Sequence, residues 1–287
     1  MTAAILQSFR NLPSLPTHPE QIAKVLDVLN KTSSADYNLL HLIQYDPIIS
    51  ARILAVANLP VYGYERRVES LHQAAGLLSP SLVTSVILTT PVFEMFRDAD
   101  HTYHQKFDHL QLWAHGAVTG TLAAFLAHKL GAVEEDVCLT LGLLHDLGKM
   151  ALIINHPKEV LEALDRSRKE KLPLSKSLQD AAGCTPEQVA GQLADEWHYP
   201  ETLIGFIQSM GNDRHPGEYG PVAIVRLANR LAEEWGYGDG LHLPEDEPLD
   251  VLAAALGVPL SDLDAWKADM QSEAESRARS ILTKTLS

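Results

Sequence analysis

Apolar residues recur at helical spacing along almost the whole chain, whereas period-two alternation rich in Val, Ile and Thr is nearly absent. This pattern predicts an all-α protein. In QIAKVLDVLN, Ile22, Val25, Leu26 and Leu29 form one stripe, and the preceding LPSLPTHPE carries three prolines that hold the entry extended. Ser33 or Ser34 is placed to cap a second helix carrying Leu39, Leu40 and Ile43. In YDPIISARILAVANLPVYG, Asp46 is the expected N-cap and Pro47 the first helical residue, where its missing N–H costs nothing. That helix should stop near Asn58, because Pro60 follows, and should bury Ile48, Ile49, Ile53, Leu54 and Val56. Two more helices are expected between Ser70 and Phe96, broken around Ser79 and Pro80, with a further break near Pro91.

A polar, His-rich stretch, RDADHTYHQKFDH, separates this half from LWAHGAVTGTLAAFLAHKL, a helix that ends at Gly131 as a C-cap glycine would end it. From Glu134 onward a helix carries GLLHDLGKM, and later helices are expected over 158–170, 186–197 and 201–210. The Gly- and Pro-dense GNDRHPGEYGP is a second weak spot, after which the amphipathic VAIVRLANRLAEEW can close a bundle. The acidic LPEDEP then leads to two final helices around 248–256 and 261–284. The expected organisation is an N-terminal helical lobe over 1–100, a second helical lobe over 101–232 and a C-terminal helical extension over 233–287. The two lobes should share a continuous apolar interface near 97–110.

Composition narrows the functional classes. Lys and Arg number 23 against 37 Asp and Glu, a net charge of −14, and the densest basic run, Arg166 to Lys171, is interrupted by Glu170. Such a chain repels phosphate backbones, so nucleic acid is not an expected partner. The stretch from Ser70 to Thr90, an amphipathic helix pair, holds no Lys or Arg at all. Cys138 and Cys184 lie 46 residues apart with no CxxC, so neither a disulfide framework nor a thiolate zinc site is indicated, and a reducing cytoplasm is the expected setting. No export signal and no apolar run of roughly 20 residues is found, so no membrane association is expected.

The stretch that carries candidate chemistry is GLLHDLGKM, residues 142–150. A chain with 13 His and 18 Asp contains about one adjacent His–Asp pair by chance, so the context decides. Gly142 and Gly148 flank His145 and Asp146, expected here within one helix, and Lys149 lies one turn beyond His145, where its ammonium could face an anion. Thirty residues upstream, His115 interrupts an apolar, small-residue face and would approach His145 if the two helices pack antiparallel. Two imidazoles and a carboxylate suit a divalent ion such as iron, manganese or zinc. The plainer alternatives are a buried His–Asp pair that holds helices together without metal, and Lys149 as a helix-end cation. His101, His104 and His109 read as solvated loop residues, and Cys184 as a small core residue.

The order Leu112, Trp113, His115, then Gly142 through Lys149, resembles the HD phosphohydrolase superfamily. Leu12-Pro13, Leu15-Pro16, Asp46-Pro47, Ala57-Asn58 and Tyr62-Gly63 resemble more specifically the HDOD family, the HD-related output domain of bacterial signalling proteins. The likeness runs from about residue 8 to 232 and implies a two-lobed helical bundle whose second lobe is HD-like. In that superfamily an active hydrolase needs a His, a His-Asp pair and a distal Asp, and many members add histidines for a second metal. His115, His145 and Asp146 match the first three. Asn229 stands where the distal aspartate is expected, Pro186 where a His commonly follows Cys-Thr, and Ser209 and Met210 where a His-His pair is common. An amide in place of a carboxylate removes about one full charge of compensation from the site. The resemblance therefore implies a non-catalytic regulatory module that binds a signalling protein or a small ligand. It would need no cofactor, His115, His145 and Asp146 being a remnant metal site and Lys149 an anion contact. The alternative is a metal-dependent HD-type phosphohydrolase acting on nucleotides or cyclic dinucleotides. The count of surviving ligands separates the two.

Overall fold

The computed structural model describes residues 2–12, 14–31, 39–63, 67–92, 107–131, 134–210, 220–241 and 247–282. They form an all-α protein with no strand among them, only an isolated parallel bridge between Thr17 and Val92 that ties the proline-rich entry to the end of the first half. That half contains α1 (Thr2–Ser8), α2 (Pro19–Lys31), α3 (Leu39–Ile43), α4 (Pro47–Ala57), α5 (Leu71–Leu77) and α6 (Pro80–Leu88). Helix α4 starts and stops where its sequence says. Asp46 caps it by accepting from the amides of Ile48 and Ile49, Pro47 takes the first turn, and Asn58 closes it. Ile48, Ile49, Ile53 and Leu54 are fully buried, while Val56 is only half-buried. Ser70 and Ser79 cap α5 and α6, whose axes are bent by 120°. The Ser33 and Ser34 caps, the boundary over 97–106, His101, His104 and most of GNDRHPGEYGP lie outside the described residues.

The second half is built on α7 (His109–Leu130), which is capped by Asp108, ends on the left-handed Gly131 and is buried on nearly all sides. Around it run α8 (Glu135–Leu144), α9 (Leu147–Asn155), α10 (Pro157–Glu170), α11 (Leu174–Ala181), α12 (Pro186–Glu196), α13 (Glu201–Ser209) and α14 (Pro221–Glu234), followed by α15 (Leu249–Ala255) and α16 (Leu260–Leu282). Helices α8, α14 and α16 pack directly on α7. The last of these buries Leu263, Met270, Ala274, Ala278 and Ile281 in one stripe, so the C-terminal segment is part of the bundle. Its far end also reaches the first half, where the Arg277 guanidinium lies 3.1 Å from the Tyr45 ring centroid.

Apolar packing runs through both halves as one cluster. Polar ties cross between them: the Tyr199 hydroxyl donates to the Ala51 carbonyl (2.8 Å), the Trp197 indole to the Leu12 carbonyl (2.7 Å), and the Leu71 amide to the Thr140 hydroxyl (3.2 Å). Glu135–Asn155 is long and apolar enough to cross a bilayer, but most of it is buried inside the bundle; the only other such stretch among the described residues is the sharply bent α5–α6 pair.

Beyond Val56, the structure departs from the sequence expectations at three points. His109 is not a solvated loop residue; it is the first residue of α7 and is buried, because the Asp108 cap starts the helix three residues before the expected Leu112. Helices α1 and α11 were not expected. Each is short, and too few apolar positions mark a period. Finally, GLLHDLGKM does not lie within one helix, since a turn at His145 and Asp146 separates α8 from α9.

Candidate functional site at the junction of α7, α8 and α9

Small residues bring the site together. Helices α7 and α8 pack antiparallel through Gly116, Gly120 and Gly142, so closely that a Cβ on Gly142 would stand 2.5 Å from the Gly120 Cα. One turn from this contact on each helix stand His115 and His145, and the close backbone approach lets their rings meet with Nε2 atoms 3.2 Å apart. Gly148 plays the same part for α9, where a Cβ would lie 1.8 Å from the Pro186 carbonyl oxygen at the start of α12. The position at which the resemblance expects a histidine is thus a backbone contact holding the far side of the His–Asp turn.

Both imidazoles are oriented from behind. Nδ1 of His115 is 2.7 Å from the Tyr237 carbonyl oxygen, and Nδ1 of His145 is 2.7 Å from the Gly142 carbonyl oxygen. A carbonyl only accepts, so each Nδ1 carries a proton and each Nε2 turns its lone pair inward. Oδ2 of Asp146 completes the triangle at 3.5 Å from each Nε2. Lone pairs that converge in this way call for positive charge. A point about 2 Å from all three atoms also exists, which is the bond length of zinc to imidazole nitrogen and carboxylate oxygen. In spacing, the trio fits one divalent ion. Among the described residues it is the one group of three or more His, Cys, Asp or Glu able to share an ion.

Lys149 changes the electrostatics. Its ammonium lies 2.9 Å from Oδ1 of Asp146 and 2.6 Å from Oδ2 of Asp239. It therefore faces two carboxylates of its own chain and no free anion. Nor is it a cation stabilised by a helix C-terminus, since it lies in the first turn of α9. Burial alone would raise the Asp146 carboxyl, but His145, Lys149 and His115 hold it well below the usual carboxylate range. The same burial would lower Lys149, and the two carboxylates instead raise it above its ordinary value. Burial lowers His145, with Asp146 opposing. All these side chains are enclosed: His115 is 1% exposed, Asp146 11% and Lys149 18%.

Asp239 is the residue that the sequence reading missed. It belongs to a short strap after α14, residues 235–241, whose left-handed Gly236 and Gly240 set its path. The strap supplies the Tyr237 carbonyl behind His115 and the Asp239 carboxylate beside Lys149, and Arg168 anchors it through the Leu241 carbonyl (3.0 Å). Burial raises Asp239, but Lys149 outweighs it and keeps the carboxyl lowered. Asn229, at the place of the expected distal acid, donates to Glu233 one turn along its own helix (3.3 Å). Ser209 likewise bonds locally, to the Phe206 carbonyl (2.9 Å), and Met210 is half-buried. Neither thiol is poised for chemistry: burial pushes Cys138 up to about 12 and raises Cys184 as well.

The architecture recurs in solved structures. The MmoQ response regulator of Methylococcus capsulatus str. Bath has a TM-score of 0.66 at 24% identity, over 88% of this chain and 97% of its own. A virulence factor from Campylobacter jejuni subsp. jejuni has 0.63 at 18% identity, over 98% and 100%. An HDOD domain protein from Geobacter sulfurreducens has 0.51 at 19% identity, over 96% and 98%. No curated protein matches the chain in sequence. The family model of the HDOD domain, however, matches residues 15–212, well over half of the chain, and the protein belongs to the HDOD domain family.

Proposed function

We propose that this protein is a signalling module of the HD superfamily that acts by binding a protein partner or a small ligand and does not hydrolyse phosphoesters. Its membership of the HDOD family supports the signalling role. The observation that carries the non-catalytic reading is the position of Lys149, whose ammonium is bonded to Asp146 and Asp239 in an enclosed cluster. Metal-assisted hydrolysis needs an ion with open positions for water and substrate. Here the one carboxylate of the triangle is already neutralised, and the side chains around it are buried. The net charge of −14 and the uncharged α5–α6 segment argue for a protein or small-molecule partner over nucleic acid. The rival reading, a metal-dependent phosphohydrolase, is favoured by the spacing of the two Nε2 atoms and Oδ2.

Turnover assays separate the two. Purified protein with added manganese, iron or magnesium should hydrolyse neither cyclic dinucleotides nor nucleoside phosphates. Activity that disappears in a folded Asp146→Ala variant would overturn the proposal.

A further inference from the structure

We infer that Lys149 keeps divalent metal off the His115–His145–Asp146 triangle, and that without its ammonium these three residues, with the Asp239 carboxylate adding negative charge nearby, make up a metal-binding site. This inference rests on the non-catalytic reading above and gives it a physical cause. The three atoms of the triangle already have the spacing that a metal requires. What opposes an ion is charge. Asp146 and Asp239 contribute two negative charges and Lys149 one positive, so the cluster with neutral imidazoles stands at −1, and a dication would leave it at +1 in a buried, weakly screened place. Without the ammonium the same groups stand at −2, and a dication brings them to zero.

The setting of Lys149 makes this role specific. A cation in the first turn of α9 sits at the positive end of the helix dipole, so the helix itself disfavours it. Two carboxylates from different elements hold it there: Asp146 at the α8–α9 turn and Asp239 on the strap, which is itself pinned by Arg168 and by the His115–Tyr237 bond. An ammonium has three donors and no lone pair, so it can neutralise Asp146 but cannot join a metal's ligands.

The test is the affinity of the full chain for Zn²⁺ and Mn²⁺, read by competition with a chromogenic chelator and by metal-induced shifts in melting temperature. Lys149→Met should bind on the order of 10- to 100-fold more tightly than the wild type, the scale on which groups adjoining a metal's ligands act. Its melting temperature should rise with added metal while that of the wild type does not. Lys149→Gln provides the same neutral change if the methionine variant does not fold, and Lys149→Arg, which keeps the charge, should behave as the wild type does. Adding His145→Ala to Lys149→Met should remove the gain, since the chain holds 13 histidines and the site must be this one. Neutral variants that bind no more tightly than the wild type, or a gain that survives loss of His145, would overturn the inference. Hydrolysis by the wild type would overturn the proposed function and leave this affinity ratio standing as a separate result.

Discussion

Asp46 and Asp146 are the same residue type, are both buried, and occupy the same place relative to a helix, the N-cap of α4 and of α9. They use their carboxylates differently. Asp46 accepts from the amides of Ile48 and Ile49 and from the Thr17 hydroxyl, and burial outweighs these bonds and the charge of Lys24 to hold its carboxyl above the ordinary value. Asp146 makes no capping bond at all. Its oxygens go to Lys149 and to the two imidazoles, and its carboxyl is held low. A helix start accounts for the first carboxylate. The second is withheld from its helix and committed to a tertiary cluster, which marks it as part of a site.

The largest difference should appear when the main interaction of each carboxylate is removed. Lys149→Met leaves Asp146 ionised and enclosed beside a second carboxylate, and in the absence of metal should cost about 3–5 kcal/mol in denaturant melts, the usual penalty of breaking a buried pair. A loss under about 0.5 kcal/mol, the scale of a surface change, would mean that solvent reaches the pair. Asp46→Ala should cost less, about 1–2 kcal/mol, as N-cap removals do. A larger loss than that of Lys149→Met would reverse the ranking of the two regions.

The finest distinction is in pH dependence. The folded-state pKa of Asp46 is raised, so its contribution is full below the unfolded value of about 4 and is lost as pH rises through the folded value. That of Asp146 is lowered, so its contribution is full above about 4 and is lost as pH falls. Stability measured between pH 3 and 7, relative to Asp46→Asn and Asp146→Asn, should therefore change with opposite slopes, and slopes of one sign would refute the contrast.

The Asp46 region was legible in the sequence because its cap and helix bounds are local; only the Thr17 hydroxyl, 29 residues upstream, is not. Asp46, Pro47 and Pro60 set the bounds of α4, and its apolar run reads as core except at the half-buried Val56. The Asp146 region was only half legible. His115, His145, Asp146 and Lys149 announce themselves by type and order, and their meeting follows from the small residues on α7 and α8. Three features do not. The turn at His145–Asp146 interrupts an apolar run that reads as continuous helix, and no Pro or Gly stands at the break. The Tyr237 carbonyl is a backbone group, which no residue letter encodes. Asp239 reaches Lys149 across 90 residues of chain from a Gly-rich strap, so its role exists only once α14 is in place.

The central claim is that Lys149 already supplies the cation that Asp146 requires. Its most direct test is the metal content of the wild-type protein, purified without chelator and measured by elemental analysis after equilibration with zinc, manganese and iron. The account predicts well under one equivalent of bound metal per chain. One full equivalent of a single metal, lost in Asp146→Ala, would contradict it.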